Sequence, residues 1–543
     1  MGMHQTNINA LASAAKQIGV KDVVICPGSR NAPLVMAFWR INAIKCHSIV
    51  DERSAAFVAL GLAKSSGQTV VMICTSGSAL VNFYPAILEA FYSEIPLMVL
   101  SADRPPEWID QWDGQAIHQK QIFVSHVKWS EETSCNDELN PQAYFKLMLD
   151  GLQIANSDRK GPVHLNVPLR EPLYEATLQA FEYPEFPIAT IPQIKIESAF
   201  QWPESVVNSK QILVVHGADH NSKPQLHALQ NPVLTDIIAN KLAQCNVLDW
   251  EKVLMLSDEE TLSKLQAEVL ITTGKMVVSK PLKQFLRKYK PKFHFHITDT
   301  QYCADPFQTN PIILHGQWDS VQNTLPPSPA YLAAWQHVEN ALASKQLVQS
   351  SEALTEPNAL AYILHHLPHL PMGLHFANSM SVRWASMLLP LFNNQWQVFA
   401  NRGVSGIDGC TSTALGMALN SNHTQILFTG DLAFAYDNNA WFQSTIPKQL
   451  KVVIFNNFGG GIFDQIEGPR NMPEKHLVQT PHKYRFELMA KHYQINYALV
   501  QSAEDLAIHF EKFLNSEEPS ILEIQTNNLD NYHQLQQYKQ SNI

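Results

Sequence analysis

Short runs of β-branched and aromatic residues alternate with helical stretches along the whole chain. In the first third, an apolar run at 23–26 is stopped by Pro27-Gly28. A second run at 47–50 leads into a helical stretch at 54–64. A third, at 69–73, precedes Thr75-Ser76-Gly77 and a helical stretch reaching about Tyr92, and runs at 96–100 and 163–167 close the series. Strands that alternate with helices predict a parallel sheet covered by helices. Ligand sites in such sheets lie at the carboxyl ends of the strands, in the loops that open helices.

The pattern repeats twice more. The middle third has apolar runs at 212–216, 269–273 and 293–297, an irregular proline-containing segment at 311–329 and a helical stretch at 330–347. The last third has runs at 373–377, 397–400, 426–428, 452–455 and 521–524. Proline-rich 183–192 and polar 350–357 separate the thirds as linkers. The expectation is an α/β protein of three parallel-sheet domains, spanning 1–182, 193–349 and 356–543. The Gln- and Asn-rich tail at 530–543 is expected to fray or to form a short polar helix.

Composition narrows the function. With 45% hydrophobic and 16% charged residues, the 543-residue chain has a soluble globular composition. A net charge of −10 argues against non-specific nucleic-acid binding, which needs a basic surface. The seven cysteines are scattered, with no CxxC, as expected of reduced thiols in a cytoplasmic protein. No signal peptide and no long apolar run points to a membrane. The 22 histidines show no HExxH spacing and are expected at the surface or at helix ends.

The candidate chemistry lies in the last third. One apolar run ends at Gly430-Asp431, and another ends at Asn456-Asn457 with Gly459-Gly460-Gly461 next. Neighbouring parallel strands would bring Asp431 and Asn457 to one sheet edge. A carboxylate, an amide oxygen and a backbone carbonyl of the glycine turn, at Gly459, make a partial hard-oxygen shell for Mg²⁺ or Mn²⁺. The open glycine backbone admits a diphosphate. Each motif alone is ordinary turn punctuation; their spacing together favours a site. In the first third, Asp51-Glu52-Arg53 ends an apolar run and starts a helix, where an acid also balances the helix dipole.

The Gly430-Asp431 to Asn456-Asn457 spacing resembles the signature of thiamine-diphosphate enzymes, with Leu432 where that signature has a second glycine. The resemblance makes Asp431, Asn457 and Gly459 the metal ligands and Gly430 part of the cofactor loop. It makes Glu52 the catalytic carboxylate that hydrogen-bonds the aminopyrimidine ring, for which it should be desolvated and its pKa raised.

Further strings sharpen it: Cys-Pro-Gly-Ser-Arg-Asn at 26–31, Asp-Glu-Arg-Ser-Ala at 51–55, Thr-Ser-Gly-Ser-Ala at 75–79, Ala-Asp-Arg-Pro-Pro-Glu at 102–107 and Gly-Gln-Ala-Ile at 114–117. Ser279-Lys280, Asn378-Ser379 with Arg383, and Asn-Arg-Gly-Val-Ser-Gly-Ile-Asp-Gly at 401–409 follow. From about Asn7 to about Gln525, thinnest in the middle third, they resemble the MenD family. These are menaquinone-pathway synthases of 2-succinyl-5-enolpyruvyl-6-hydroxy-3-cyclohexene-1-carboxylate.

The resemblance implies decarboxylation of 2-oxoglutarate and conjugate addition of the succinyl fragment to isochorismate. It implies that Arg104, Gln115 and Lys280 face isochorismate and that Arg383 and Arg402 bind carboxylates. Ser29, Arg30, Asn378 and Ser379 would line the site, with Ile462 and Phe463 near the cofactor and Ile466 near substrate. It further implies a homodimer or homotetramer with active sites between subunits. Three other classes remain open at this point: an acetolactate-synthase-like carboligase or simple 2-oxo-acid decarboxylase, which would not need the arginines; a non-catalytic nucleotide- or flavin-binding protein; and, against the charge, a nucleic-acid-binding protein.

Overall fold

The structure is a computed structural model that describes residues 3–135, 140–174, 181–188, 200–219, 229–348 and 353–540. Residues 189–192 of the first expected linker, 350–352 of the second and 541–543 of the tail lie outside the described residues.

The described strands form three sheets in which every pairing is parallel. The first contains β1 (Asp22–Ile25), β2 (Lys45–Ser48), β3 (Val70–Cys74), β4 (Leu97–Asp103), β5 (Ser130–Glu132) and β6 (Val163–Pro168), in the order β2-β1-β3-β4-β6-β5. The second contains β7 (Ile212–His216), β8 (Val233–Thr235), β9 (Val269–Thr273), β10 (Phe293–Thr298) and β11 (Ile312–His315), in the order β11-β10-β9-β7-β8. The third contains β12 (Met372–Phe376), β13 (Trp396–Phe399), β14 (Gln425–Gly430), β15 (Leu450–Asn456), β16 (Asn496–Val500) and β17 (Ser520–Gln525), in the order β13-β12-β14-β15-β17-β16. Counted from their own first strands, the first and third sheets have the same order. Their central strands, such as β3 and β15, are buried along their whole length. That is why they read as continuous apolar runs without alternation.

By contact the chain divides into two compact units. One comprises Met1–Lys195, Asn401–Asn422 and Tyr436–Pro447; the other comprises Ile196–Ala400, His423–Ala435 and Lys448–Ile543. In the first unit the helix Cys410–Ala418 lies against the helix Glu52–Ser66. A Cβ at Gly416 would stand 2.1 Å from the Val58 carbonyl oxygen, so glycine there lets the two backbones touch. Among the described residues, no helix is long and apolar enough to cross a membrane.

Four strands depart from the expected pattern: β5, β8, β11 and β16. All four are sheet edges. The segment expected to be irregular at 311–329 holds β11 and the helix Trp318–Val321, and the helix that follows is Pro329–Ala341. The tail does not fray within the described residues. It forms the helix Asn528–Gln540, which buries Asn531, Gln534, Leu535 and Tyr538. The histidine expectation holds for exposed His365, His366 and His369. It fails for His164, His216, His294 and His375, which are buried. These four sit on strands, where Ser101, Thr273, Thr272 and Gln425 each give one ring nitrogen a hydroxyl or amide partner.

Candidate active site

The order of the third sheet reverses at β12, whose neighbours are β13 and β14. The loops after β12 and β14 therefore flank a topological switch point, the usual ligand position in open parallel sheets. Asn378 and Ser379 follow β12, while Gly430 ends β14 and Asp431 opens the helix Asp431–Tyr436.

Asp431 is 2% exposed. Its Oδ1 accepts the Leu432 N–H at 2.7 Å, and its Oδ2 accepts the Gly459 N–H at 3.0 Å. His482 Nε2 lies 3.1 Å from the same Oδ2. Burial pushes the Asp431 carboxyl up to about 7, against the pull of backbone N–H groups from Leu432, Gly459, Phe458 and Asn457. A buried acid of this kind gains most from a cation, which restores the charged form that burial disfavours.

Asn457 faces the same turn. Its Nδ2–H donates to Glu356 Oε1 at 2.6 Å, while its buried Oδ1 has no partner. Asn528 Oδ1 is likewise buried without a partner. A Cβ at Gly461 would stand 2.4 Å from Asn528 Oδ1 and 2.8 Å from Asn457 Nδ2, so a side chain there would fill the space between the amides. One buried carboxylate, one orphan amide oxygen and the Gly459 backbone form a donor set suited to a hard divalent cation. Among the described residues, no group of three or more His, Cys, Asp or Glu offers a softer site.

A cavity of about 510 Å³ opens in the same unit. Lys280 and Arg383 line it, with Ile462 and Ile466 on an apolar wall. Lys280 opens the helix Lys280–Lys288, capped by the Ser279 hydroxyl, which accepts the Leu282 N–H at 3.1 Å. Arg383 donates to the Ser379 carbonyl. Ser379, at φ 78°, starts the helix Met380–Met387. Asn378 is buried at the preceding position. Phe463 packs one turn away, where a Cβ at Gly460 would meet its ring at 2.7 Å.

The other unit gathers a second set. In the first sheet the order reverses at β1, between β2 and β3. Arg30 follows β1 and is buried; it donates to the Leu169 carbonyl at 3.0 Å and pairs with Glu171 at 3.1 Å. Ser29 Oγ lies 3.1 Å from the Tyr174 hydroxyl. Arg104 follows β4 and donates to the Gly114 carbonyl at 2.9 Å. The guanidinium carbons of Arg30 and Arg104 stand 5.4 and 5.6 Å from the centre of the Trp108 ring, so one indole holds both cations. Gln115, at φ 58°, abuts Gly77, whose added Cβ would stand 2.9 Å from the Gln115 Cα.

Asp51 caps the helix Glu52–Ser66 by accepting the Ser54 N–H at 2.9 Å, which fixes Glu52 as its first residue. Burial raises the Glu52 carboxyl above its ordinary range, and Asp51 adds to the shift. Arg402 sits in a segment clamped by buried Glu89, which accepts the N–H groups of Gly403 and Val404, both at 2.8 Å.

Two family models match the chain. Residues 6–122 match the thiamine pyrophosphate enzyme N-terminal TPP binding domain, and residues 379–524 match the C-terminal TPP binding domain. The chain is also similar to a 2-succinyl-5-enolpyruvyl-6-hydroxy-3-cyclohexene-1-carboxylate synthase of Cytophaga hutchinsonii, with 36% identity over 97% of each chain. That of Flavobacterium johnsoniae is 35% identical over 96% of each, and that of Desulfotalea psychrophila 36% over 95% of this chain and 98% of its own. The chain belongs to the 2-succinyl-5-enolpyruvyl-6-hydroxy-3-cyclohexene-1-carboxylate synthase family.

This synthase is accordingly a thiamine-diphosphate-dependent enzyme, and the acetolactate-synthase-like alternative is not favoured. Its fold is shared with a benzoylformate decarboxylase from Polynucleobacter necessarius at a TM-score of 0.68 and 16% identity, covering 96% of this chain and 99% of that one.

Several residues around the candidate site escaped the sequence pattern. Glu356, Trp384 and Asn531 come from three separate helices and meet only in the fold. Trp108 lies in a turn with no periodic signal, although its place four residues after Arg104 could have marked it. His482 belongs to a segment between helices, without strand or helix pattern.

Proposed function

We propose that this synthase decarboxylates 2-oxoglutarate and adds the succinyl fragment to isochorismate, as a step of menaquinone biosynthesis. The observation that carries the proposal is the cavity itself: Lys280 and Arg383 beside an apolar wall of Ile462 and Ile466 suit a dicarboxylate with an aliphatic middle.

Bound thiamine diphosphate supplies the electron sink that decarboxylation and carbon–carbon bond formation both need. Glu52, with its carboxyl raised by burial, is suited to share a proton with a ring nitrogen. Asp431 and Asn457 Oδ1, with the Gly459 carbonyl, would hold Mg²⁺ or Mn²⁺ against the diphosphate. Gly430, Ile462 and Phe463 would border the cofactor. Asn378, Ser379 and Arg383 at one switch point, with Lys280, and Ser29, Arg30, Arg104 and Gln115 at the other, with Arg402, would orient the substrate carboxylates. The proposed working form is a cytoplasmic homodimer or homotetramer.

Mass spectrometry of a reaction containing the cofactor, Mg²⁺, ¹³C-labelled 2-oxoglutarate and isochorismate tests the proposal. The expected product has the summed mass of both substrates less carbon dioxide. Labelled carbon dioxide without any adduct would leave only a decarboxylase.

A further inference from the structure

We propose that Lys539, on the C-terminal helix Asn528–Gln540, is a further substrate-binding residue that takes a carboxylate in the cavity lined by Lys280 and Arg383. The inference rests on the dicarboxylate substrates proposed above and deepens it.

Lys539 lines that cavity together with Lys280 and Arg383. It is half-buried, and among the described residues no carboxylate lies within ion-pair reach of its ammonium or of that of Lys280. Two acids line the same space. Glu259 is already paired with Lys288. Glu251 is 7% exposed, and its Oε2 has no partner.

Lys280 is placed against the preference of its own helix, since a cation at a helix N-terminus opposes the dipole. The amide end of that helix and two unpaired ammoniums thus converge on one half-enclosed space with an apolar wall. Like charges gathered there repel one another and are stabilised by an incoming anion. Burial, and then Lys280 and Arg470, hold the Lys539 ammonium below its ordinary range.

The helix that carries Lys539 is fixed in place. Gln534 Nε2 donates to the Leu347 carbonyl and to Asn358 Oδ1, both at 2.7 Å, and Asn531 Oδ1 accepts the Glu356 N–H at 2.8 Å. A tethered lysine loses less freedom on binding than a surface one.

In the full-length holoenzyme, Lys539→Met is expected to raise KM for one dicarboxylate about 10-fold or more with kcat little changed, the worth of one charge-assisted bond. Lys539→Arg should recover most of the loss. The substrate whose KM moves, 2-oxoglutarate or isochorismate, identifies the source of the carboxylate. KM values unchanged for both overturn the proposal.

A second measurement uses the wild-type protein. Acylation of Lys539 by an amine reagent, read by peptide mass spectrometry, should be suppressed by saturating glutarate; equal labelling with and without glutarate overturns the proposal even if the methionine variant misfolds. Wild-type protein that turns over neither substrate would refute the synthase activity instead, and glutarate protection would still decide the role of Lys539.

Discussion

Glu356 accepts the Nδ2–H of Asn457 at 2.6 Å and thereby turns the amide so that its Oδ1 is the free, buried atom. The same carboxylate accepts Asn531 Nδ2 at 3.1 Å and Trp384 Nε1 at 2.6 Å. Three donors converge on a group that has only acceptors when ionised. The pair assigns roles: Glu356 sets the orientation, and Asn457 presents the oxygen.

Replacing Glu356 with Gln puts an NH₂ against one of those donors and loosens Asn457. Mg²⁺ affinity in the presence of cofactor should fall about 10- to 100-fold, as for lost partners behind a metal ligand. Titration of Mg²⁺ against cofactor-dependent circular dichroism measures it. An unchanged midpoint would remove Glu356 from the site.

Glu52→Gln should bind the cofactor with little change and lose turnover by about 10²- to 10⁴-fold, the usual weight of a positioned acid–base group. Cofactor titration and kcat, measured side by side, separate the two effects. Wild-type rates in this variant would end the proton-sharing role.

Arg104→Ala should impair use of isochorismate more than cofactor affinity, since in the role proposed for it Arg104, which follows β4 and lies over the Trp108 ring, binds that substrate. A loss of about 10- to 100-fold in kcat/KM for isochorismate corresponds to one charge-assisted interaction. Unchanged kinetics would take Arg104 out of the substrate site.

Glu251 predicts a pH dependence of stability. Burial, reinforced by Asp236, pushes its carboxyl up to about 8, outweighing Ser279, Ser386 and Arg383. Below the unfolded value of about 4.3 both states hold the proton and stability is unaffected. Between there and about 8 the folded state keeps a proton that the unfolded state has released, so stability falls as pH rises. Glu251→Gln removes this loss. Its thermal midpoint should rise relative to wild type between pH 5 and pH 8 by a few degrees, order of magnitude only. A constant difference across that range would contradict the assignment.

What the sequence disclosed follows from burial. Central strands such as β3 and β15 are buried throughout and were visible as apolar runs. The edge strands β5, β11 and β16 mix exposed and half-buried positions, and β8 has only three residues, so none gives a clean period. Asp431 and Asn457 were legible because each ends a strand one crossover apart. Glu356 was not, since its partners lie 28, 101 and 175 positions away and only the fold joins them. The amphipathic signal of the helix Asn528–Gln540 is weak because it buries Asn531 and Gln534 as well as Leu535 and Tyr538. For that reason the sequence left fraying and a short polar helix both open for the tail.

The most direct test of the central claim compares 2-oxoglutarate and pyruvate as donors to saturating isochorismate, with cofactor and Mg²⁺ present. The second carboxylate should give 2-oxoglutarate at least about a 10-fold advantage in kcat/KM, since a charge-assisted contact is worth that much. Its consumption should also require isochorismate. Equal use of pyruvate, or loss of 2-oxoglutarate at the same rate without isochorismate, would contradict the account.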